Sequence, residues 1–199
     1  REAEDDIDYL LAVQPGRVWV ARLIVIFLVR LARLSGVTLC PNYITSTDLL
    51  ALDERSLFTA HELAQMTPLY GASVYSEMML TNDWARALWP NGFDARPVQE
   101  ITLSPRGRFI KSLGEFLLRG CIGDALERWE MSRKVRRLTA EATAIGSAAT
   151  CFSAQCCKGH MQNYGARILA AYEARLAAAG LAADSKASAK DAELGWMET

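Results

Sequence analysis

The sequence predicts an α/β (α+β) protein: an incomplete βαβ sheet unit over residues 1–50, a mainly helical region over 51–180 and a disordered tail over 181–199. Three observations carry this. Two short apolar runs, one ending at Val13 and one starting at Val37, flank a single long stretch of helical periodicity. From about Asp53 onward several segments repeat apolar residues at helical spacing. Beyond Gly180 the composition falls to Ala, Ser, Lys, Asp and Glu, too polar to pack. The chain has 199 residues, 51% of them hydrophobic, which is enough for a real core and excludes general disorder. Its 22 basic and 23 acidic side chains lack the cationic excess of a nucleic-acid coater, so nucleic acid is not an expected partner.

Asp6 to Val13 reads as a strand with a polar start and an apolar end, broken by Gln14-Pro15-Gly16. A helix follows from about Arg17 to Leu34 and stops at Ser35-Gly36. Its length and apolar content resemble a membrane span, but Arg22, Arg30 and Arg33 are expensive in a bilayer. At about 100° per residue these arginines gather on one edge, as in a helix packed against a sheet. No membrane partner is therefore expected. Val37 to Ile44 is a second strand, and Pro41 marks it as an edge or a bulge.

The remainder reads as helices over Leu57–Met66, capped by Ser56, and over Ser73–Leu88, Phe109–Arg119, Ile122–Leu138 and Ala154–Ala179. Val98 to Leu103 alternates as a short strand would. Trp84, Trp89, Trp129, Tyr70 and Tyr75 fall at helical spacings that suit a core. The first residues, Arg1 to Asp8, are acidic rather than signal-like, and the five cysteines read as reduced thiols; both point to a cytoplasmic protein.

The sharpest chemical signal is Asp6-Ile7-Asp8-Tyr9. Residues two apart on a strand share a face, so Asp6 and Asp8 present adjacent carboxylates. Such a pair repels itself unless a cation sits between, and Mg²⁺ carrying a nucleotide's phosphates is the usual use. The plainer reading is a solvated acidic strand end.

These residues resemble the metal-binding pair of the DNA polymerase β-like nucleotidyltransferase superfamily. The segments DDIDYLLAV, VRLARLSGVTLCPNY, SLFTAHELAQMTPLYG and FSAQCCKGH are similar, more closely, to a group of bacterial proteins labelled nucleotidyltransferase. The resemblance implies that Asp6 and Asp8 hold Mg²⁺ (or Mn²⁺) ions that orient a nucleoside triphosphate. An acceptor of unknown class would attack the α-phosphorus, and pyrophosphate would leave. The family also carries a Gly-Ser element upstream of the pair and a third carboxylate from a later strand. Five residues precede Asp6, none of them Gly or Ser, so the expectation is either a chain that continues upstream or one that has lost the chemistry. Glu100 is the candidate third acid. The alternative function is a non-catalytic helical binding or interaction protein that keeps the fold.

Arg133, Lys134, Arg136 and Arg137 form a basic cluster, read either as a solvated face near a helix C-terminus or as a substrate-binding contact for phosphates. Cys151, Cys156, Cys157 and His160 contain enough donors for zinc, but at a spacing that fits helix-packing thiols better. His61-Glu62 opens a metalloprotease-like helix motif that Gln65 breaks.

Overall fold

The computed structural model describes residues 7–93, 101–146, 150–159 and 164–181. The protein is mixed α/β and mostly helical. In chain order the elements are β1 (Ile7–Val13), α1 (Val18–Leu34), β2 (Leu39–Ser46), α2 (Leu57–Gln65), α3 (Ala72–Thr81), α4 (Trp84–Leu88), a 3₁₀ turn (Pro90–Gly92), α5 (Pro105–Leu117), α6 (Cys121–Ile145), β3 (Cys151–Phe152), β4 (Cys156–Lys158) and α7 (Tyr164–Ala178). They form two compact units: Arg1–Leu50 with Thr102–Gln162, and Ala51–Ile101 with Asn163–Thr199. The α/β unit joins the first fifty residues to a later stretch that carries α5, α6 and the β3–β4 hairpin.

In the α/β unit the strand order is β1-β2-β4-β3. β1 and β2 are parallel neighbours joined through α1, which is the expected βαβ unit. Their register runs from Ile7↔Leu39 to Val13↔Ser46, with a shift between Asp8 and Leu10. One residue of β1 there, Tyr9, faces two of β2, Pro41 and Asn42, so Pro41 lies in a bulge, where a proline's missing N–H is tolerated. β2 is not an edge, however. β4 pairs with it antiparallel through Tyr43↔Lys158, Ile44↔Cys157 and Thr45↔Cys156.

The hairpin corrects the expectation of a helix from Ala154. Residues 151–158 form two short strands, and α7 starts only at Tyr164. Local helical spacing there loses to pairing with β2, and the tight turn is closed by the Ser153 N–H donating to the Cys156 carbonyl at 2.8 Å. Cys151, Cys156 and Cys157 are therefore strand thiols rather than helix-packing ones.

The core of this unit is Val18, Trp19, Ile44 and Cys157, with Leu11, Val13, Met131, Val135, Leu138 and Phe152 packed around it. Trp19 is fully buried, and its indole N–H donates to the Ser153 carbonyl at 2.8 Å, which satisfies its one polar atom. Sequence spacing pointed to other aromatics as core, but Tyr70, Trp89 and Trp129 are exposed. α1 also departs from expectation. It buries Val18, Trp19, Val20 and Val29, whereas Ile24, Phe27, Leu28, Leu31 and Leu34 stay exposed. The sheet covers one side of α1 only, so a helix apolar nearly all round keeps an uncovered stripe.

In the helical unit Ser56 caps α2 by accepting from the Thr59 N–H at 3.1 Å. The single helix expected over Ser73–Leu88 is broken into α3 and α4 at Asn82. Its buried side chain donates to the Met78 carbonyl at 2.8 Å and accepts from the Leu52 N–H at 2.8 Å and the Trp84 indole at 3.2 Å. That is the usual way asparagine diverts a helix backbone. The carboxamide of Gln65 lies 3.2 Å from His61 Nε2, and the His61 ring meets Trp89 edge-on at 5.3 Å, so His61 packs within its unit. The strand expected over Val98–Leu103 is not formed at 101–103, and 98–100 lie outside the described residues, as does the tail from 182. α5 begins at Pro105 behind a Ser104 cap, and α6 runs on to Ile145, past the expected Leu138.

Candidate functional site

Of the predicted metal pair, Asp8 is described and Asp6 is not. Asp8 is exposed near the start of β1, opposite Cys40, where the bulge begins. β1 is at the edge of the four-stranded sheet. Glu100 and His160 lie outside the described residues. Among the described residues no group of three or more His, Cys, Asp or Glu side chains is placed to hold a metal ion.

The basic cluster sits in the middle of α6 rather than near its C-terminus, because the helix runs eight residues past Arg137. Its members have different partners. Arg133 donates to the carboxylate of Glu130, with Nε at 2.9 Å, and lies 5.0 Å over the Trp129 ring. Arg137 pairs with Glu141 at 2.6 Å, and that hydrogen bond raises its pKa. Lys134 is half-buried; burial first, then the charges of Arg133 and Arg22, hold its ammonium below the ordinary lysine value. Arg136 is exposed. Lys134 and Arg136 are thus the members whose charge is least committed to a carboxylate of α6.

The strongest polar construction in the α/β unit escaped the sequence reading. Asp124, Glu127 and Glu130 stand three residues apart on α6, and each meets the first turns of α1. Arg17 pairs with Asp124 at 2.8 Å and donates from Nε to the Leu118 carbonyl at 3.0 Å. Glu127, buried, accepts the main-chain N–H groups of Trp19 at 3.0 Å and Val20 at 2.7 Å. Glu130, 1% exposed, faces Arg22 Nη1 at 3.8 Å, and its Oε1 has no hydrogen bond. A signal was present. Gln14-Pro15-Gly16-Arg17 offers α1 no capping side chain, so its free N–H groups had to find an acceptor elsewhere. Here the acceptor is a carboxylate more than a hundred residues away, well placed against the helix dipole.

The remaining reactive groups cluster on β2 and the hairpin. Burial, then its hydrogen bond with Cys151, pushes the Cys156 thiol up to about 12. Burial followed by the neighbouring Cys156 raises the Tyr43 phenol, over whose ring the Lys158 ammonium lies at 5.9 Å. Burial raises Cys157 as well, opposed by Arg22. A thiol held protonated is a poor nucleophile, and adjacent strand residues such as Cys156 and Cys157 point to opposite faces.

Comparison of the chain with protein-family models, with curated proteins and with solved structures finds no match in any of the three.

Proposed function

We propose that the α/β unit is nucleotidyltransferase-like and carries out Mg²⁺-dependent transfer of a nucleotidyl group from a nucleoside triphosphate to an acceptor. The observation that carries this reading is Asp8, exposed on the first strand of a parallel βαβ unit, two residues after Asp6. The donor chemistry fits: a carboxylate at an open strand start suits a hard cation that keeps several waters. Asp6 and Asp8 would hold the ion, which when bound neutralises phosphate charge and orients the triphosphate. Lys134 and Arg136 are the cluster members available for phosphate, whereas Arg133 and Arg137 are engaged by Glu130 and Glu141. The test is calorimetric titration of the protein with Mg²⁺ and a nucleoside triphosphate. Binding that requires Mg²⁺ and is lost in Asp8→Asn supports the reading, and equal binding by Asp8→Asn refutes it.

A second reading, a non-catalytic interaction protein that keeps the fold, is favoured by a different observation. The N-terminus of α1, the natural place for an anion at the end of β1, is filled by the carboxylate of Glu127. Nucleotide binding by neither the wild type nor the variant would select this reading.

A further inference from the structure

α5 is a 13-residue helix with a proper start: Pro105 is at its first position, and Ser104 Oγ accepts the Gly107 N–H at 3.1 Å. Yet it buries none of its residues. Phe109, Ile110, Leu113, Phe116 and Leu117 fall within an arc of about 120° at 3.6 residues per turn. All five are exposed, between 46% and 71%. Pro105 to Arg119 carry four basic side chains against the single acid Glu115: Arg106 at the N-terminal end of this arc, and Arg108, Lys111 and Arg119 on the opposite face. All four are exposed, and Lys111 is tied to Glu115 at 2.6 Å. A helix of this length gains little from propensity alone and normally owes its stability to the burial of one face.

We propose that α5 is an interfacial helix by which the protein rests on an anionic lipid bilayer. Two aromatic and three aliphatic side chains would enter the acyl boundary while the arginines and Lys111 meet anionic headgroups, the arrangement that distinguishes helices lying in a membrane surface. The charge of the helix, four cations against one acid, complements an anionic surface. α1 carries a second exposed apolar stripe, Ile24, Phe27, Leu28, Leu31 and Leu34, 44–84% exposed, with exposed Arg30 beside it. Among the described residues no helix is long and apolar enough to cross a membrane, and an interfacial helix requires none. The expectation of no membrane partner rested on the arginines within 18–34; α5 meets a bilayer by lying on it.

The experiment is co-sedimentation of the full chain with vesicles of phosphatidylcholine, with and without phosphatidylglycerol. Three variants are compared, all at exposed positions and checked for retained helical circular dichroism: Phe109→Ser/Phe116→Ser, Arg106→Glu/Arg108→Glu and Phe27→Ser/Leu31→Ser. The expected result is salt-sensitive binding to the anionic vesicles, weakened about tenfold or more by either α5 double variant. The proposal is overturned by absence of binding to anionic vesicles, by equal binding to neutral ones, or by unchanged binding of the Phe109/Phe116 variant. Loss only in the Phe27/Leu31 variant also overturns it. So does a concentration-dependent dimer that disappears on changing α5 in protein that binds no vesicle.

Discussion

Removing the Glu127 carboxylate leaves the N–H groups of Trp19 and Val20 without acceptors next to a fully buried indole. Each unpaired buried donor costs on the order of 1–3 kcal/mol, so Glu127→Ala should destabilise the α/β unit by about 3 kcal/mol. Glu127→Gln leaves one carboxamide oxygen for these two N–H groups and sets its NH₂ against the other, so it should cost about 2 kcal/mol. Urea unfolding followed by Trp fluorescence measures both; an unchanged midpoint in either variant would mean that the carboxylate does not cap α1. Cys156 supplies a pH signature. Its thiol titrates near 9.0 when unconstrained and near 12 in the fold. The folded state therefore holds the proton that the unfolded state gives up. That contribution to stability is complete below pH about 9 and is lost as pH rises towards about 12. The urea midpoint should fall across that window in the wild type and fall less steeply in Cys156→Ala; parallel profiles would contradict it.

At the scale of elements, the start of α6 is the tightest joint. A Cβ on Gly123 would lie 1.9 Å from the Leu118 carbonyl oxygen and 3.2 Å from the Arg17 guanidinium carbon. The first of these is main chain and cannot swing away. Gly123→Ala should cost about 3 kcal/mol or more and displace Arg17 from Leu118, whereas Gly114→Ala on α5 meets nothing within 4 Å. There the loss of backbone freedom in the unfolded chain should stabilise the helix by about 0.5–1 kcal/mol. Paired thermal melts test both signs at once. The same scale shows what could be read in advance. β1, α1 and the Pro41 bulge followed from turn residues and periodicity, because these are local forces. The β3–β4 hairpin did not, because Cys156 and Cys157 owe their extended backbone to Tyr43, Ile44 and Thr45 of a strand more than a hundred residues earlier. Asn82 split an otherwise continuous helical pattern through one side chain, a contest that periodicity does not register.

Over the whole molecule, the α/β unit is discontinuous in sequence. Residues 1–50 hold β1, α1 and β2, but the cap on α1, the third strand of the sheet and part of the core around Trp19 come from 102–162. A chain ended at residue 101 should lose the near-ultraviolet dichroism of Trp19 and its cooperative unfolding, and a co-expressed 102–162 segment should restore both. Retained cooperativity in the shortened chain would contradict this account. Of the candidate site, Asp8 was legible as a residue of the first strand, because the apolar run to Val13 and the turn after it are local signals. The basic cluster was legible as charge but not as function, because Glu130 and Glu141, which engage Arg133 and Arg137, are separate side chains whose approach depends on the helix they share.

On the proposed function, a divalent cation and a nucleoside triphosphate would meet at the start of β1. The most direct measurement replaces Mg²⁺ by paramagnetic Mn²⁺ and follows the amide resonances of the isotope-labelled protein with a nucleoside triphosphate present. The expected result is broadening centred on Ile7, Asp8 and Tyr9, reaching Cys40 across the β1–β2 pair and absent in Asp8→Asn. Broadening centred elsewhere, or unchanged in Asp8→Asn, would contradict it.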